Sequence, residues 1–256
     1  MSEESWSPAS IVVSIAEQII GLNPGALEKK FKSREIYQGY HVEPPLALRL
    51  DGVGWGRKLK DKYEWPRDER VHRALVSATV RLLEEFNACC GLVVSDEISI
   101  IISNGPPYGG RVEKLVSISA GLVSATISHI LGEELYTDSR IVKLYGASDA
   151  IEYLLHRIRV GFNNYVSSIY HHVVPGEKDY TPSLSEMVKK LRGIRTPLRL
   201  WEPWRLLGTC VVRTESLRVL DSIVAKRRRI VAIDASPSLC KKAIDSSLGR
   251  VVVHKM

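Results

Sequence analysis

The sequence predicts a mixed α/β fold of the ferredoxin-like βαββαβ type, with helices packed on one antiparallel sheet. Two observations favour it: the alternation of short apolar runs with helical repeats, and a hairpin pattern over residues 92–102. The 256-residue chain is 45% hydrophobic and 25% charged, the composition of an ordinary globular protein. Composition therefore excludes a collagen-like, low-complexity or mainly disordered chain.

The individual elements follow from their apolar spacing and their turn residues. A short run that Pro-Pro and Gly enclose is typical of a buried strand, whereas apolar residues every three or four positions indicate a helix. Gly91 is expected to end the first helix and Ser148 to cap the third. The predicted strands are 45–51, the hairpin 92–102 and 139–144, and the predicted helices are 68–90, 112–131 and one from Ser148.

Two extensions flank this predicted core. Residues 10–30 have the pattern of an amphipathic helix, with a turn signal at Asn23-Pro24-Gly25. Residues 175–256 contain several prolines and are expected to be irregular. The predicted organisation is an N-terminal helical extension at 1–30, a catalytic domain at 31–174 and a basic C-terminal extension at 175–256.

The N-terminus and the cysteines favour a cytoplasmic protein. The acidic start and the polar residues within 11–20 do not resemble a signal peptide, and no apolar run approaches the length of a spanning helix. Cys89 and Cys90 are adjacent, Cys210 and Cys240 are isolated, and no C-x-x-C pair occurs. This spacing favours buried thiols over a disulfide framework or a zinc site.

The basic excess lies in the last third of the chain. Residues 175–256 hold 17 Lys and Arg against 8 Asp and Glu, with a peak at Lys226, Arg227, Arg228 and Arg229. Such a patch attracts nucleic-acid phosphates, although a single run of charges equally suits a solvated helix face. The apolar residues that precede the run predict a helix that presents it.

Acidic residues lie where the predicted strands meet. Asp51 ends the first strand, and Asp96 with Glu97 occupies the tip of the hairpin, where neighbouring carboxylates repel one another. The predicted topology places Asp51 and Asp96 at the same end of the sheet. Carboxylates that leave room for phosphate oxygens are the usual ligands of Mg²⁺, and two such ions serve phosphoryl displacement.

A glycine-rich segment follows the first aspartate. Gly52, Gly54 and Gly56 alternate with Val53 and Trp55, and Arg57-Lys58 comes next. A loop of this kind can turn backbone N–H groups toward a triphosphate. It matches neither the Walker pattern nor G-x-G-x-x-G.

Together these residues resemble the tRNA(His) guanylyltransferases and their 3′-to-5′ polymerase relatives. The resemblance extends over residues 31–172, with a weaker match at 203–208. Residues 34–45 are similar to the archaeal branch of the family. Its motifs are Arg34-Glu35-Ile36-Tyr37, Arg49-Leu50-Asp51-Gly52, Pro66-x-Asp68-Glu69-Arg70, Ser95-Asp96-Glu97, Arg111 with Lys114, Asp138-x-Arg140 and Asn163-Asn164.

The resemblance implies a polymerase-type palm that holds two Mg²⁺ ions on Asp51, Asp96 and the carbonyl of Gly52, with Glu97 as a further catalytic residue. The implied reaction adds G to the 5′ end of a tRNA: ATP activates the 5′ phosphate, or a triphosphate is already present, and the 3′-hydroxyl of GTP attacks it. The implied nucleotide-binding residues are Asp51, Gly52, Val53, Gly54, Trp55, Gly56, Ser95, Asp96, Arg111, Lys114 and Asn164. The residues expected to bind RNA are Arg140, Asn163 and, from charge alone, 226–229.

The sequence departs from the family pattern around the nucleotide. Trp55-Gly56 stands in place of an aromatic residue followed by His, and Trp65 in place of a basic residue before Pro66. Gly161 stands where eukaryotic members have His. These changes concern nucleotide stacking and selection rather than the metal ligands.

Two other functions stay open on the sequence alone. A nucleotide cyclase shares the palm topology, and an RNA-binding protein could keep the fold without catalysis. Arg140 and Asn163-Asn164 favour the polymerase resemblance, and the acidic residues argue against loss of catalysis. The family resemblance also implies a homo-oligomer, a tetramer or dimer, and no membrane partner is expected.

Overall fold

The computed structural model describes residues 8–174, 182–220 and 223–247, with side chains at 11–174, 182–214 and 229–245. The chain divides into two compact units, Met1–Tyr40 and His41–Met256. The described part of the first unit contains α1 (Pro8–Ile19) and α2 (Pro24–Lys32). Asn23 separates them: its side chain accepts a hydrogen bond from the Ala26 N–H (3.0 Å) and caps α2. The single helix predicted over residues 10–30 is therefore wrong.

The described residues of the second unit form a six-stranded antiparallel sheet in the order β4-β1-β3-β2-β5-β6, with helices on both faces. The ferredoxin-like βαββαβ core predicted from the sequence is confirmed, since β1, α4, β2, β3, α5 and β4 follow one another in this order. The elements are β1 (Leu46–Gly52), α3 (Trp55–Leu59), α4 (Glu69–Glu85), β2 (Cys90–Val94), β3 (Glu97–Ile102), α5 (Val112–Leu131), β4 (Thr137–Lys143), α6 (Ala147–Val173), α7 (Leu184–Leu191), α8 (Pro203–Leu207), β5 (Thr209–Leu220), β6 (Ile223–Asp234) and α9 (Pro237–Ser247).

Each face of the sheet has its own core because successive strand residues point to opposite sides. Leu46, Leu48 and Leu50 of β1 are fully buried in the core that includes residues of α4 and α5. Ala47 lies on the other face, in the core that includes residues of α6 and α9. The same alternation determines which face each residue at the end of β1 occupies. It places Asp51 on the same face as Ala47.

The last third of the chain extends the same sheet. β5 pairs with β2, with Cys90 opposite Val212, and β6 pairs with β5. Val211 enters one core and Cys210 the other, so β5 is buried on both faces at this point. The prediction of an irregular C-terminal segment is therefore wrong. The predicted helix before residues 226–229 is also wrong, because that run lies on β6, where only the Arg229 side chain is among those described.

The helix predicted over residues 68–90 ends earlier than its apolar pattern suggests. α4 stops at Glu85, and Gly91 is not its terminator but a residue of β2. A Cβ at Gly91 would lie 2.5 Å from the Thr79 Cγ2 of α4. Glycine at this position therefore lets α4 approach the sheet closely.

The cysteines behave as the sequence predicts. All four lie within the described residues, all are buried, and none forms a disulfide. The Cys210 and Cys240 sulfur atoms are 3.5 Å apart, where α9 packs on β5. Their role here is that of small apolar side chains.

Helix α5 is long and apolar enough to cross a membrane by length and composition alone. In this fold, however, Leu115, Val123 and Ile127 are fully buried in the core shared with α4 and β1. Its apolar inner face is thus the core-facing side of a helix that covers a sheet.

Helix α6 crosses the opposite face of the sheet and comes very close to the end of β2. A Cβ built on Gly161 would overlap the Cγ1 atom of Val94. Packing of α6 against β2 therefore explains the glycine at position 161, independently of any substrate.

We expect Gly161→Ala to lower the free energy of unfolding by about 1–3 kcal/mol, since the added methyl group has no space at Val94. Gly121→Ala in α5 is the matched control, because nothing lies within 4 Å of its Cβ position and alanine favours a helix by up to about 1 kcal/mol. Urea denaturation of both variants measures the difference. Equal effects would contradict the packing argument.

Candidate active site

The two predicted aspartates meet at one end of the sheet. Asp51 lies near the end of β1, directly opposite Glu97 of β3 and Asp138 of β4. Asp96 precedes Glu97 in the turn between β2 and β3. The predicted convergence of Asp51 and Asp96 is thereby confirmed as a matter of geometry.

The turn that holds Asp96 is tighter than the sequence suggests. Its two residues are Ser95 and Asp96, while Glu97 already pairs within β3. Ser95 adopts a positive φ of 59°. Burial raises the pKa of Asp96, and the neighbouring Asp51 carboxylate raises it further. Two carboxylates in this arrangement repel each other unless a cation or a proton lies between them.

The oxygen atoms at this end of the sheet are of the hard type that Mg²⁺ prefers as ligands. Among the described residues, no three His, Cys, Asp or Glu side chains come together as a metal cluster. Asp51 and Asp96, with the backbone of Gly52 next to them, therefore offer a small set of hard ligands. Mg²⁺ commonly binds through one or two carboxylates and completes its shell with water and phosphate oxygens.

Glu97 lies beside this pair but is engaged elsewhere. Its Oε2 accepts from the Arg49 Nε at 2.8 Å, and its two oxygens accept from the Nε and Nη2 of Arg157 on α6. Arg49 also reaches Asp51 at 3.3 Å. Glu97 is buried, so these ion pairs join the end of the sheet to α6.

Local packing and backbone conformation explain two of the glycines in the glycine-rich segment. Trp55 is 2% exposed, and its indole N–H donates to the Tyr136 carbonyl at 2.7 Å. A Cβ at Gly52 would lie 2.6 Å from the Trp55 ring, and Gly54 begins α3 with a φ of 69°. Trp55 is thus part of the core, whereas Val53, Gly54 and Gly56 remain at the surface.

A pocket opens next to the turn. Its cavity volume is about 260 Å³, and its wall is mainly apolar and aromatic. It begins at Ser95 and Asp96 and extends between α3 and the loop that precedes α4. The rings in its wall are Trp55, Tyr63, Trp65, His72 and Trp204.

Two buried arginines, which sequence reasoning missed, hold the wall of this pocket together. The Nη1 of Arg67 donates to the carbonyl of Arg205, and the Nη1 of Arg205 donates to the carbonyl of Arg67. Arg67 also donates to the Gly161 carbonyl at 2.9 Å. Burial lowers the pKa of Arg67 to about 10, which leaves it charged at neutral pH. The signal was present, since both residues lie within the motif segments 66–70 and 203–208.

Comparison with known proteins agrees with this architecture. A family model described as tRNA(His) guanylyltransferase matches residues 28–140, which include both aspartates. This segment of the chain is therefore similar to the tRNA(His) guanylyltransferase family.

Relatives and solved structures extend the likeness beyond that segment. An uncharacterized protein of Acanthamoeba polyphaga mimivirus is 22% identical over 81% of this chain and 84% of its own length. A bacterial tRNA(His) guanylyltransferase-like protein in complex with ATP has a TM-score of 0.65 at 19% identity, over 87% of this chain and 99% of that one. Its complex with GTP has a TM-score of 0.64 at 18% identity, over 86% and 98%. The Saccharomyces cerevisiae enzyme has a TM-score of 0.55 at 18% identity, over 70% and 91%.

Arg111 and Lys114, which the family pattern places near the triphosphate, lie at the other end of the sheet. Arg111 bridges to His41, and Leu46 pairs with Ile102 at this same end. Asp51 lies near the far end of β1, about 17 Å from Leu46 at the usual rise per residue. Within one chain, the two cations are therefore not brought to Asp51 and Asp96.

The residues expected to bind RNA have distinct positions. Arg140 lies on the edge strand β4, opposite Arg49, and pairs with Asp138 at 2.9 Å. Asn163 and Asn164 lie on α6, just after Gly161 at the level of the turn, and Asn163 accepts a hydrogen bond from Arg159. Arg140 and the asparagines thus flank the acidic end of the sheet from opposite sides.

His72 in the pocket wall gives the protein a pH-dependent stability. Burial lowers its pKa from 6.5 to about 4, with help from Arg67 and Arg205, and the neutral ring shares a hydrogen bond of 2.8 Å with Thr209. The unfolded chain therefore binds this proton more tightly than the folded one. The resulting stabilisation is complete above about pH 6.5 and is lost as the pH falls toward 4, by up to about 3 kcal/mol.

We expect His72→Gln, which keeps a hydrogen-bonding group near Thr209, to reduce the loss of stability between pH 6.5 and 4. His156→Gln, an exposed histidine on α6, is the control and should leave the pH dependence unchanged. Denaturant titrations at several pH values within this window measure both. If the free energy of unfolding of His72→Gln changes with pH as it does in the wild type, the assignment of a buried, neutral His72 is contradicted.

Proposed function

We propose that this protein is a nucleotidyltransferase that adds G, or template-directed nucleotides, to the 5′ end of a tRNA in the 3′-to-5′ direction, with tRNA(His) as the expected substrate. The observation that carries the proposal is the position of Asp51 and Asp96 beside a pocket lined with aromatic rings. An acidic pair next to such a pocket suits a nucleotide whose phosphates lie at the turn and whose base lies in the pocket. Bacterial structural neighbours form complexes with ATP and with GTP, which supports a nucleotide as the ligand.

The proposed step is a displacement at the 5′-terminal phosphorus of the RNA. The 3′-hydroxyl of GTP forms the new P–O bond, and the bond to the leaving group breaks: AMP leaves after activation by ATP, or pyrophosphate leaves from a 5′-triphosphate. The hydroxyl proton passes to solvent or to a nearby base. Asp51, Asp96 and the Gly52 carbonyl would hold two Mg²⁺ ions, which supply charge neutralisation of the phosphates.

The protein's own groups have defined parts in this proposal. Asp51 and Asp96 orient the reacting phosphates from the end of the sheet, because the β1–β3 register fixes their separation. Glu97 and Arg157 hold the base of the turn against α6, so that Asp96 keeps its position. Ser95 and the exposed residues Val53 and Gly54 lie next to the acidic pair, where phosphates would enter.

Arg111 and Lys114 fit this proposal through oligomerisation. Since they lie at the opposite end of the sheet from the acidic pair of their own chain, their predicted contact with a triphosphate requires a neighbouring copy. The homo-oligomer implied by the family resemblance supplies one. A cytoplasmic location accords with the same proposal.

We expect Asp51→Asn and Asp96→Asn each to reduce nucleotide addition by a thousand-fold or more, because removal of a metal-binding charge costs roughly 4 kcal/mol or more of transition-state stabilisation. Incorporation of labelled GTP into 5′-phosphorylated tRNA, with ATP and Mg²⁺, measures the loss. Glu84→Gln removes an exposed carboxylate from α4 and serves as the control. Activity like that of the wild type in either aspartate variant would overturn the two-metal proposal.

The RNA is proposed to bind across Arg140 and Asn163 toward the basic last third. A groove between α6 and α7 is lined by Arg159, Lys189 and Arg192 together with two serines. Three cations around one groove suit successive phosphates of an RNA backbone. The run Lys226–Arg229, in contrast, has only the Arg229 side chain within the described residues.

We expect replacement of Arg159, Lys189 and Arg192 by Gln to weaken tRNA binding and to flatten its salt dependence, by a slope of about 0.9 for each phosphate that is no longer neutralised. Filter binding at several salt concentrations measures the slope. A variant with Gln at 226–229 is tested in parallel. If only this second variant flattens the slope, the groove is excluded and the run on β6 takes its place.

A further inference from the structure

Trp65 has an unusual position among the rings of the pocket. It is 43% exposed, whereas Trp55 and His72 are buried and Tyr63 and Trp204 are partly buried. It stands where the family pattern has a basic residue, so the pattern gives it no role. Its location between the pocket and solvent requires a separate explanation.

The other rings already have partners that occupy their faces or edges. Trp55 packs its ring against Gly52 and donates its N–H to the Tyr136 carbonyl. His72 stacks on Trp204 with centroids 4.5 Å apart, and the Arg205 guanidinium lies 4.4 Å from the Trp204 ring. The Arg70 guanidinium lies 4.6 Å from the Tyr63 ring.

Trp65 is supported from one side. The imidazole of His172, in the last turn of α6, lies 4.2 Å from its ring centroid with an interplanar angle of 31°. This tilted ring contact supports one side of the indole ring, while nearly half of the Trp65 surface stays exposed next to the pocket.

The backbone around Trp65 is also held firmly. The Glu64 N–H donates to the Asp68 carboxylate at 2.8 Å, and Arg67 donates to carbonyls of α6 and of the segment at Arg205. The indole ring therefore stands on a loop that is fixed before any ligand arrives. A rigid aromatic face of this kind binds a flat ring with little loss of entropy.

A nucleobase is the flat ring that the rest of the pocket favours. Trp65 and Asp96 line the same cavity, so a nucleoside triphosphate can extend from the acidic turn to the indole ring. Every base has a π-face that stacks on an aromatic side chain, and the larger ring system of a purine stacks best.

We propose that Trp65 is the stacking platform for the purine base of the bound nucleoside triphosphate, and that His172 positions its ring. The inference rests on the proposed nucleotide transfer and assigns base stacking to Trp65 rather than to the buried Trp55. It makes Trp65 a specificity-determining residue for purine over pyrimidine nucleotides.

The test is the binding of GTP, CTP and inorganic triphosphate by calorimetry in Mg²⁺. Trp65→Ala should weaken GTP binding roughly 5- to 150-fold and reduce the preference for GTP over CTP, while inorganic triphosphate binds as before. Trp65→Phe should retain most of the affinity, and His172→Ala should show a smaller loss. Tyr145→Ala removes an exposed aromatic ring outside the pocket and is the control.

Two results would overturn the inference: GTP affinity of Trp65→Ala within twofold of the wild type, or equal weakening of GTP and inorganic triphosphate. The first shows that Trp65 only covers His172, and the second shows a general disturbance of the site. Thermal unfolding of each variant identifies any loss of fold, and Trp65→Phe then decides the question. Wild-type protein that binds GTP but adds none to tRNA would overturn the proposed function and leave the stacking platform intact.

Discussion

The register between β1 and β3 is the constraint on which the remaining site depends. It places Asp51 opposite Glu97, and thereby puts Asp96, the residue before Glu97, beside the end of β1. Because strand side chains alternate between faces, a slip of one residue would turn Asp51 toward α4 and α5 and expose the leucines of β1. The fully buried Leu46, Leu48 and Leu50 make such a slip costly. The hydrophobic core and the acidic pair are therefore fixed by the same pairing.

Arginines connect this end of the sheet to the helices around it. Arg157 reaches Glu97 from α6, and Arg67 reaches the carbonyl of Gly161 on the same helix. Arg67 and Arg205 exchange hydrogen bonds with each other's backbone, which joins the loop before α4 to α8. Guanidinium groups suit this purpose, since they keep several donors in one plane and stay charged when buried. The polar interior near the pocket is thus an organised network rather than a set of isolated charges.

The sequence predicts the central fold well because its signals are local. Alternating apolar residues in β1 and the hairpin, and the helical spacing in α4, α5 and α6, each report on a short segment. Asp51 and Asp96 are found for the same reason, since each lies at the end of a clear apolar run. The family motifs add Gly52, Ser95 and the asparagine pair, whose roles stay predictions.

Other features depend on contacts between distant segments, which spacing does not reveal. The pairing of β5 with β2 requires residues about 120 positions apart, and the prolines at 182–203 suggested irregular structure instead. The helix predicted before residues 226–229 had the right apolar residues but the wrong period. Glu97 was grouped with Asp96 by adjacency, although Asp96 lies in the turn and Glu97 already pairs within β3. Arg67 and Arg205 were missed because each binds the backbone of the other, and this contact is visible only in the folded chain.

The closeness of α6 to the sheet limits which segments can be exchanged with proteins of the same fold. At Gly161 the helix backbone lies so near Val94 that even a methyl group has no room. A helix with a larger residue at this position must stand farther from the hairpin, and its carbonyl then lies out of reach of Arg67. Segments exchanged between this chain and eukaryotic relatives would therefore have to include α6, the hairpin and the loop at 64–68 together. These three segments pack as one unit and would have to change together, although they are far apart along the chain.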